Sequence, residues 1–410
     1  MKTVIREIKV GLNFGFDVKP VGRLAIRNSV IYFEYDEVFL RGDLEISPIK
    51  LPLQSGVIEL PKRPFEGLSG VFNDSLPDGW GRLLFDRLLR SEGVYPSDIS
   101  PLDRLAYVGE NGLGALVYKP DQSFNSGDKG RINLDVLASR TKEVLEGESE
   151  EVLAELLALN GSSAGARPKA MIGVDYEKNS IIHGTEHLSD GFEHWMVKFP
   201  NSQDGDDAGV IEYVYALMAI DAGIEMPAVH LFPSQKGKGY FAVKRFDRNG
   251  NKRLHMHTVC GLIHDNFRFP SLDYEDLLSL TSVITKDIRE VEKMFRLGVF
   301  NVMAHNRDDH SKNFTYLMNE NGEWKLSPAY DLTFSSGPGG EQSTMVMGKG
   351  RDINIKHLVK LGLEAKLSKE FVESVIEQTR SALGKWGVLS KGFGVSKRNR
   401  DLIQNEISKI

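Results

Sequence analysis

The stretch His305-Asn-Arg-Asp-Asp-His-Ser-Lys-Asn313 crowds acidic, basic and amide side chains between an apolar helical segment and an apolar strand, Phe314–Met318. Asp308 and Asn313 stand five residues apart. That is the separation at which a phosphoryl-transfer loop sets its aspartate base and its metal-holding asparagine. Asp309 is one residue too close, so the base is read as Asp308 and Asp309 has no assigned role. The bland alternative is a solvated polar loop.

Downstream, Asn321-Gly322 is a two-residue hairpin signal between Phe314–Met318 and Trp324–Leu326. Pairing Glu320 with Glu323 sets Asn313 opposite Tyr330 and brings Asp331 beside it across the ladder. Two oxygen ligands, Asn313 and Asp331, together with phosphate oxygens and water suit Mg²⁺.

The cationic counterpart is Lys198, in the strand His194–Phe199 closed by Pro200. Residues 194, 196 and 198 share one face. A lysine beside Met196, Val197 and Phe199 is not buried without a partner. It is read as a cation for the α- and β-phosphates of ATP, with Glu212 on the following helix as its ion-pair partner. An edge lysine reaching solvent is the alternative. The small-residue loop Gly161–Lys169 lets backbone N–H groups approach phosphates, although it lacks both GxGxxG and GxxxxGKS/T. A plain connector fits its composition equally well. Val243–Phe246 offers backbone groups to an adenine ring.

These residues need elements to hold them. A chain of 410 residues calls for two or three domains, expected at 1–120, 130–250 and 251–410. Residues 1–60 read as short strands, with Val30–Tyr35 and Val57–Leu60 the clearest. Gly79–Gly93 has helical spacing. Lys119–Arg131 is a polar surface connection, and Leu134–Leu159 reads as one helix ending at Asn160-Gly161. Beyond residue 255 the pattern is helical apart from the hairpin, with Ile288, Val291, Met294, Phe295, Val299 and Val302 on one apolar face. A strand-rich half followed by a helix-rich half is the α+β pattern. A net charge of −6 argues against a surface that coats nucleic acid generally, while Lys391–Arg400 is locally basic. The single cysteine, Cys260, allows no internal disulfide and suits a reducing cytoplasm. The N-terminus is no signal peptide, and no apolar run reaches the roughly 20 residues that span a bilayer, so no membrane partner is expected.

Several segments together resemble the HipA family of toxin kinases. Phe72-Asn-Asp-Ser-Leu-Pro-Asp78 is similar to its FxDxLPD signature and Leu51–Ser55 to another of its segments. Ser162–Lys169 resembles its SxxGAxxK loop, and Arg245–Arg248, Asp308–Asn313 and Pro328–Asp331 its remaining motifs. The matches run in family order from about residue 50 to 331. The resemblance implies a two-lobed protein-kinase-like fold with an extra β-rich N-terminal subdomain and a helical C-terminal lobe. It implies ATP contacts at Ala164, Gly165, Ala166, Arg167, Pro168 and Lys169, at Lys198, at Lys244, Arg245 and Phe246, at His310, Ser311, Lys312 and Asn313, and at Tyr330 and Asp331. It implies autophosphorylation of Ser162, or of adjacent Ser163, which switches such kinases off. A phosphate there adds a charge of about −1.5 to −2 and could pull the loop from the nucleotide. It implies a serine/threonine protein kinase acting on translation machinery, an aminoacyl-tRNA synthetase such as glutamyl-tRNA synthetase. It implies a HipB-like helix-turn-helix antitoxin as partner, with DNA reached only through that antitoxin. Asp309 departs from the Gly or Arg common after the base, and Arg167-Pro168 varies the loop. A small-molecule phosphotransferase and a catalytically weak co-repressor are the rival readings.

Overall fold

Alternation of apolar and polar residues builds the first sheet. In Val30–Tyr35 the side chains of Ile31, Phe33 and Tyr35 are buried and those between them are half-buried, as a strand with one covered face requires. The computed structural model describes residues 5–123, 130–147, 152–160, 165–184, 188–201 and 205–409. Five antiparallel strands, β1 (Glu7–Asn13), β2 (Val18–Arg27), β3 (Val30–Tyr35), β4 (Val57–Glu59) and β5 (Leu116–Lys119), lie in the order β4-β3-β2-β1-β5. Ile8, Val10, Leu24, Phe33 and Phe72 centre its core.

Helix α1 (Gly79–Ser91) turns Trp80, Leu84, Phe85 and Leu89 to one side, the stripe expected at helical spacing. That stripe joins the core of the next sheet, while its neighbour α2 (Pro101–Val108) packs in the first core. The second sheet is antiparallel: β6 (Lys169–Asp175), β7 (Ile181–His183), β8 (Phe192–Lys198), β9 (Val229–Phe232) and β10 (Tyr240–Lys244), in the order β7-β6-β8-β10-β9. Leu134–Leu159 differs from the single helix expected. It forms α3 (Leu134–Glu146) and α4 (Leu153–Asn160), because Gly147 adopts left-handed backbone and caps the first. The connection expected over 119–131 includes 124–129, outside the described residues.

Helix α5 (Ala208–Asp221) leads towards a large helical lobe with its own core, centred on α6 (Tyr274–Thr285) and α7 (Ile288–Met303). Val291, Met294, Phe295, Val299 and Val302 are buried there, whereas Ile288 is exposed. A three-stranded sheet crosses this lobe: β11 (His255–Thr258), β12 (Thr315–Met318) and β13 (Trp324–Leu326), in the order β11-β12-β13. Strand β11 was not expected.

The hairpin register also differs from the expectation by one residue. Met318 pairs with Trp324 and Tyr316 with Leu326, and Asn319 N–H donates to Glu323 O at 3.2 Å. The cause is Asn319. Its side-chain oxygen accepts from the N–H groups of Asn321 (3.0 Å) and Glu323 (3.1 Å), which stabilises a three-residue loop, 320–322, over the two-residue turn. Strand β13 ends at Leu326, so Asp331 does not arrive along the ladder.

The N-terminal sheet region is fastened to the rest by buried charge. Asp247 takes a bidentate pair from Arg245 (2.9 and 2.8 Å) and accepts from Arg248 (2.6 Å) and the Gly114 N–H (2.9 Å). Arg248 and Arg253 in turn donate to carbonyls of Gly112 and Gly114. These guanidinium charges hold the Asp247 carboxyl far below the usual carboxylate range against the cost of burial. Removing one partner of such a buried pair leaves the others uncompensated. Asp247→Ala should cost about 3–5 kcal/mol in unfolding free energy, read by urea denaturation. A loss within experimental error would show that the cluster does not carry this junction.

Candidate active site

Strand β8 buries Trp195 and Val197 in the sheet core, which turns Lys198 to the other face. There the Lys198 ammonium donates to Glu212 Oε1 at 2.5 Å and to Asp331 Oδ1 at 2.6 Å. Glu212 is buried on α5, and Arg167 approaches its other oxygen at 3.5 Å. The two carboxylates hold Lys198 charged in spite of its burial. Lys198 in turn, with Lys169 and Arg167 behind it, holds Asp331 far below the usual carboxylate range. Asp331 adopts left-handed backbone, φ 58°, which aspartate tolerates better than bulky residues.

The loop 305–313 lies against this cluster. Asn313 Nδ2 donates to the Asp308 carbonyl at 2.8 Å, which leaves its amide oxygen as an acceptor. The Asp308 carboxylate is 62% exposed and has His310 Nε2 at 3.9 Å. Partial desolvation by the surrounding loop and the charge of Asp331 raise its proton affinity, while His310 and Arg167 oppose that. The neighbouring Asp309 does a different job. It is buried and accepts from Tyr274 Oη (2.6 Å), Gln342 Nε2 (2.9 Å) and the Thr344 N–H (3.1 Å). Its carboxyl is pushed up to about 7 by burial. Two adjacent aspartates therefore divide, one exposed and one locking the loop.

The remaining expected residues differ in what their side chains do. Lys169 pairs with Lys198 across β6 and β8 and is buried. Lys312 binds Asp78, and Ser311 Oγ donates to Asp265. Tyr330 Oη donates to the Lys312 carbonyl at 2.7 Å, and its ring packs on Phe246 with centroids 5.6 Å apart. Lys244 pairs with Glu193 at 2.5 Å. The Arg245 side chain turns into the Asp247 cluster, and its N–H donates to His194 O at 2.8 Å. The Lys244 N–H donates to Ala228 O at 2.8 Å. Gly165, Ala166 and Pro168 fall in the described part of the small-residue loop, whereas Ser162, Ser163 and Ala164 lie outside the described residues. Sequence reasoning gave Asp78 no role in the site, although it sits in the singled-out Phe72–Asp78 segment. Cys260 is buried, its thiol pushed up to about 12 by burial. No helix among the described residues is long and apolar enough to cross a membrane.

A lysine on a sheet paired with a glutamate on the helix that follows, beside an aspartate–asparagine loop of a helical lobe, with a β-rich N-terminal subdomain, is a two-lobed α+β fold of the protein-kinase-like class. Residues 12–119 match the family described as HipA N-terminal domain, and residues 161–386 match the HipA-like C-terminal domain. The chain belongs to the HipA family. It is 27% identical over 354 residues to the Sinorhizobium fredii protein named "Putative kinase Y4mE", covering 78% of this chain and 76% of that one. It is 29% identical over 154 residues to "Putative kinase Y4dM" of the same organism, covering 34% and 36%. Among solved structures it resembles a chain from the Shewanella oneidensis complex of the toxin–antitoxin proteins HipA and HipB with operator DNA. The TM-score is 0.67 at 15% identity, covering 97% of this chain and 95% of that one.

Lys169 supplies a test of the site's electrostatics. Burial, and then the charge of Lys198, push its ammonium down to about 8. The folded value lies below the ordinary value of 10.5, so this group's contribution to stability is full above about 10.5 and lost as pH falls through about 8. Thermal unfolding followed from about pH 7.5 to 10.5 should show that rise in the wild type and a smaller one in Lys169→Met. Parallel profiles would contradict the assignment.

Proposed function

We propose that this protein is an ATP-dependent serine/threonine kinase and the toxin of a HipBA-like pair. The observation that carries the reading is the contact of one buried ammonium, Lys198, with both Glu212 and Asp331 beside the Asp308–Asn313 loop. A cation held between an orienting glutamate and a metal-type aspartate is the arrangement that phosphoryl transfer from ATP requires.

In this reading Lys198 and Lys169 bind the nucleotide's phosphates, and the backbone of Gly165–Lys169 lies along them. Lys244–Phe246 and Tyr330 border the base. Asp308 accepts the proton of the acceptor hydroxyl as its oxygen bonds to the γ-phosphorus. The bond from that phosphorus to the β–γ bridging oxygen breaks, and ADP leaves. Among the described residues no cluster of three or more His, Cys, Asp or Glu side chains could hold a metal by itself. The donor set that is present, one carboxylate and one free amide oxygen, fits Mg²⁺, which keeps water and phosphate oxygens as its other ligands. Asn313 and Asp331 would hold it, and when bound it offsets phosphate charge.

Three finer points belong to the same proposal. The autophosphorylated residue is Ser162 or Ser163. The partner is a HipB-like DNA-binding antitoxin, by analogy with the Shewanella oneidensis complex. The acceptor is a protein of translation, an aminoacyl-tRNA synthetase being the class the family resemblance suggests.

Labelled ATP and Mg²⁺ incubated with a cell lysate should place label on protein serine or threonine. Asp308→Ala should fold with an unchanged unfolding midpoint and lose transfer by roughly a hundred- to ten-thousand-fold. Label confined to metabolites would favour a small-molecule acceptor, and an active Asp308→Ala would overturn the base assignment.

A further inference from the structure

Asp78 stands at the end of the Phe72–Asp78 segment and precedes α1. One of its carboxylate oxygens accepts from the Gly165 N–H, and the other binds the Lys312 ammonium. Gly165 belongs to the small-residue loop, and Lys312 adjoins Asn313. A single carboxylate from the N-terminal region therefore joins the two loops that flank the Lys198 cluster, across separations of 87 and 234 residues.

The grip on Gly165 is double. Its carbonyl accepts from the Trp80 N–H at 3.0 Å, so both of its backbone polar groups are held by residues 78 and 80. Gly79, between them, has φ +46°, and a Cβ there would lie 2.4 Å from the Gly165 carbonyl oxygen. This approach admits no side chain. Four residues beyond Gly165, Lys169 lies opposite Lys198 in the sheet. The start of α1 thus fixes Gly165 within the small-residue loop.

Asp74, a few residues earlier, provides the contrast. It accepts from Thr258 N–H and Oγ1, both at 2.8 Å, and contacts His257 Nδ1 at 2.7 Å. It fastens the same segment to β11 without touching either loop.

We propose that Asp78 is a positioning residue. It ties the Gly165 loop to the Lys312–Asn313 loop, and through that tie the N-terminal subdomain sets the affinity of the site for ATP. The inference rests on the kinase reading. A charge-assisted pair and a backbone hydrogen bond held together are strong enough to shift a loop population substantially. Loosening the loop weakens nucleotide binding while leaving the Asp308 chemistry in place.

The experiment is steady-state kinetics on the full chain for the wild type, Asp78→Asn, Asp78→Glu, Lys312→Gln and the Asp78→Asn/Lys312→Gln double variant. Asp74→Asn is the control for stability alone. Asp78→Asn and Lys312→Gln should each raise KM for ATP by about tenfold, with kcat changed far less. The double variant should be no worse than either single one, and Asp78→Glu should recover part of the loss. Asp74→Asn should lower the unfolding midpoint without moving KM. Should Asp78→Asn fail to fold, Lys312→Gln alone decides. An unchanged KM in either single variant, or single effects that multiply in the double, would overturn the clamp. A wild type that uses no ATP would instead overturn the kinase reading beneath it, and this is seen before any variant is compared.

Discussion

One buried ammonium organises the molecule. Lys198 is withdrawn from water, and an unpaired charge there would cost several kcal/mol. The chain must therefore bring carboxylates to it from elsewhere. Glu212 comes from α5, which follows β8 in sequence. Asp331 comes from beyond β13, 133 residues away. Lys198 stands in the second sheet, whereas Glu212 and Asp331 both come from segments packed in the helical core, so the ion triad is also a tie between lobes. The constraint acts locally on Asp331, whose backbone is held at positive φ, a conformation kept only where surroundings impose it.

The N-terminal subdomain extends this logic. It meets the rest of the chain through carboxylates and guanidinium groups as well as through apolar surface: Asp247 with its two arginines, Asp74 on β11, and Asp78 on the two loops. Helix α1 adds the apolar part, since Trp80, Leu84, Phe85 and Leu89 enter the core of the second sheet. A subdomain attached in this way is not a passive appendage, because its helix α1 begins where the small-residue loop is held.

Much of the site was legible in the sequence, and the reasons it was legible are physical. A lysine in an apolar strand needs a counter-charge, and Glu212 lay one helix away. The five-residue interval from Asp308 to Asn313 is a local spacing, so it survives folding unchanged. What local reasoning missed depends on contacts or on competing turn chemistry. The hairpin register slipped by one because the Asn319 side chain outcompetes the Asn321-Gly322 turn signal. Leu134–Leu159 broke because Gly147 caps a helix. The division of labour between Asp308 and Asp309 depends on Tyr274, Gln342 and Thr344, none of which is near in sequence. Arg245 carries a motif that the resemblance assigns to nucleotide contact, yet its side chain serves the Asp247 cluster. Asp78 was visible only as part of a pattern, since its partners lie in two distant loops.

The most direct test of the account is a crystal structure of the protein with Mg²⁺ and a non-hydrolysable ATP analogue. The account predicts phosphates seated against Gly165–Lys169, with the Lys198 ammonium in hydrogen-bond contact with a phosphate oxygen while it keeps Glu212, and the ion bound by Asn313 and Asp331. Nucleotide bound away from Lys198, or an ion held by other residues, would contradict it.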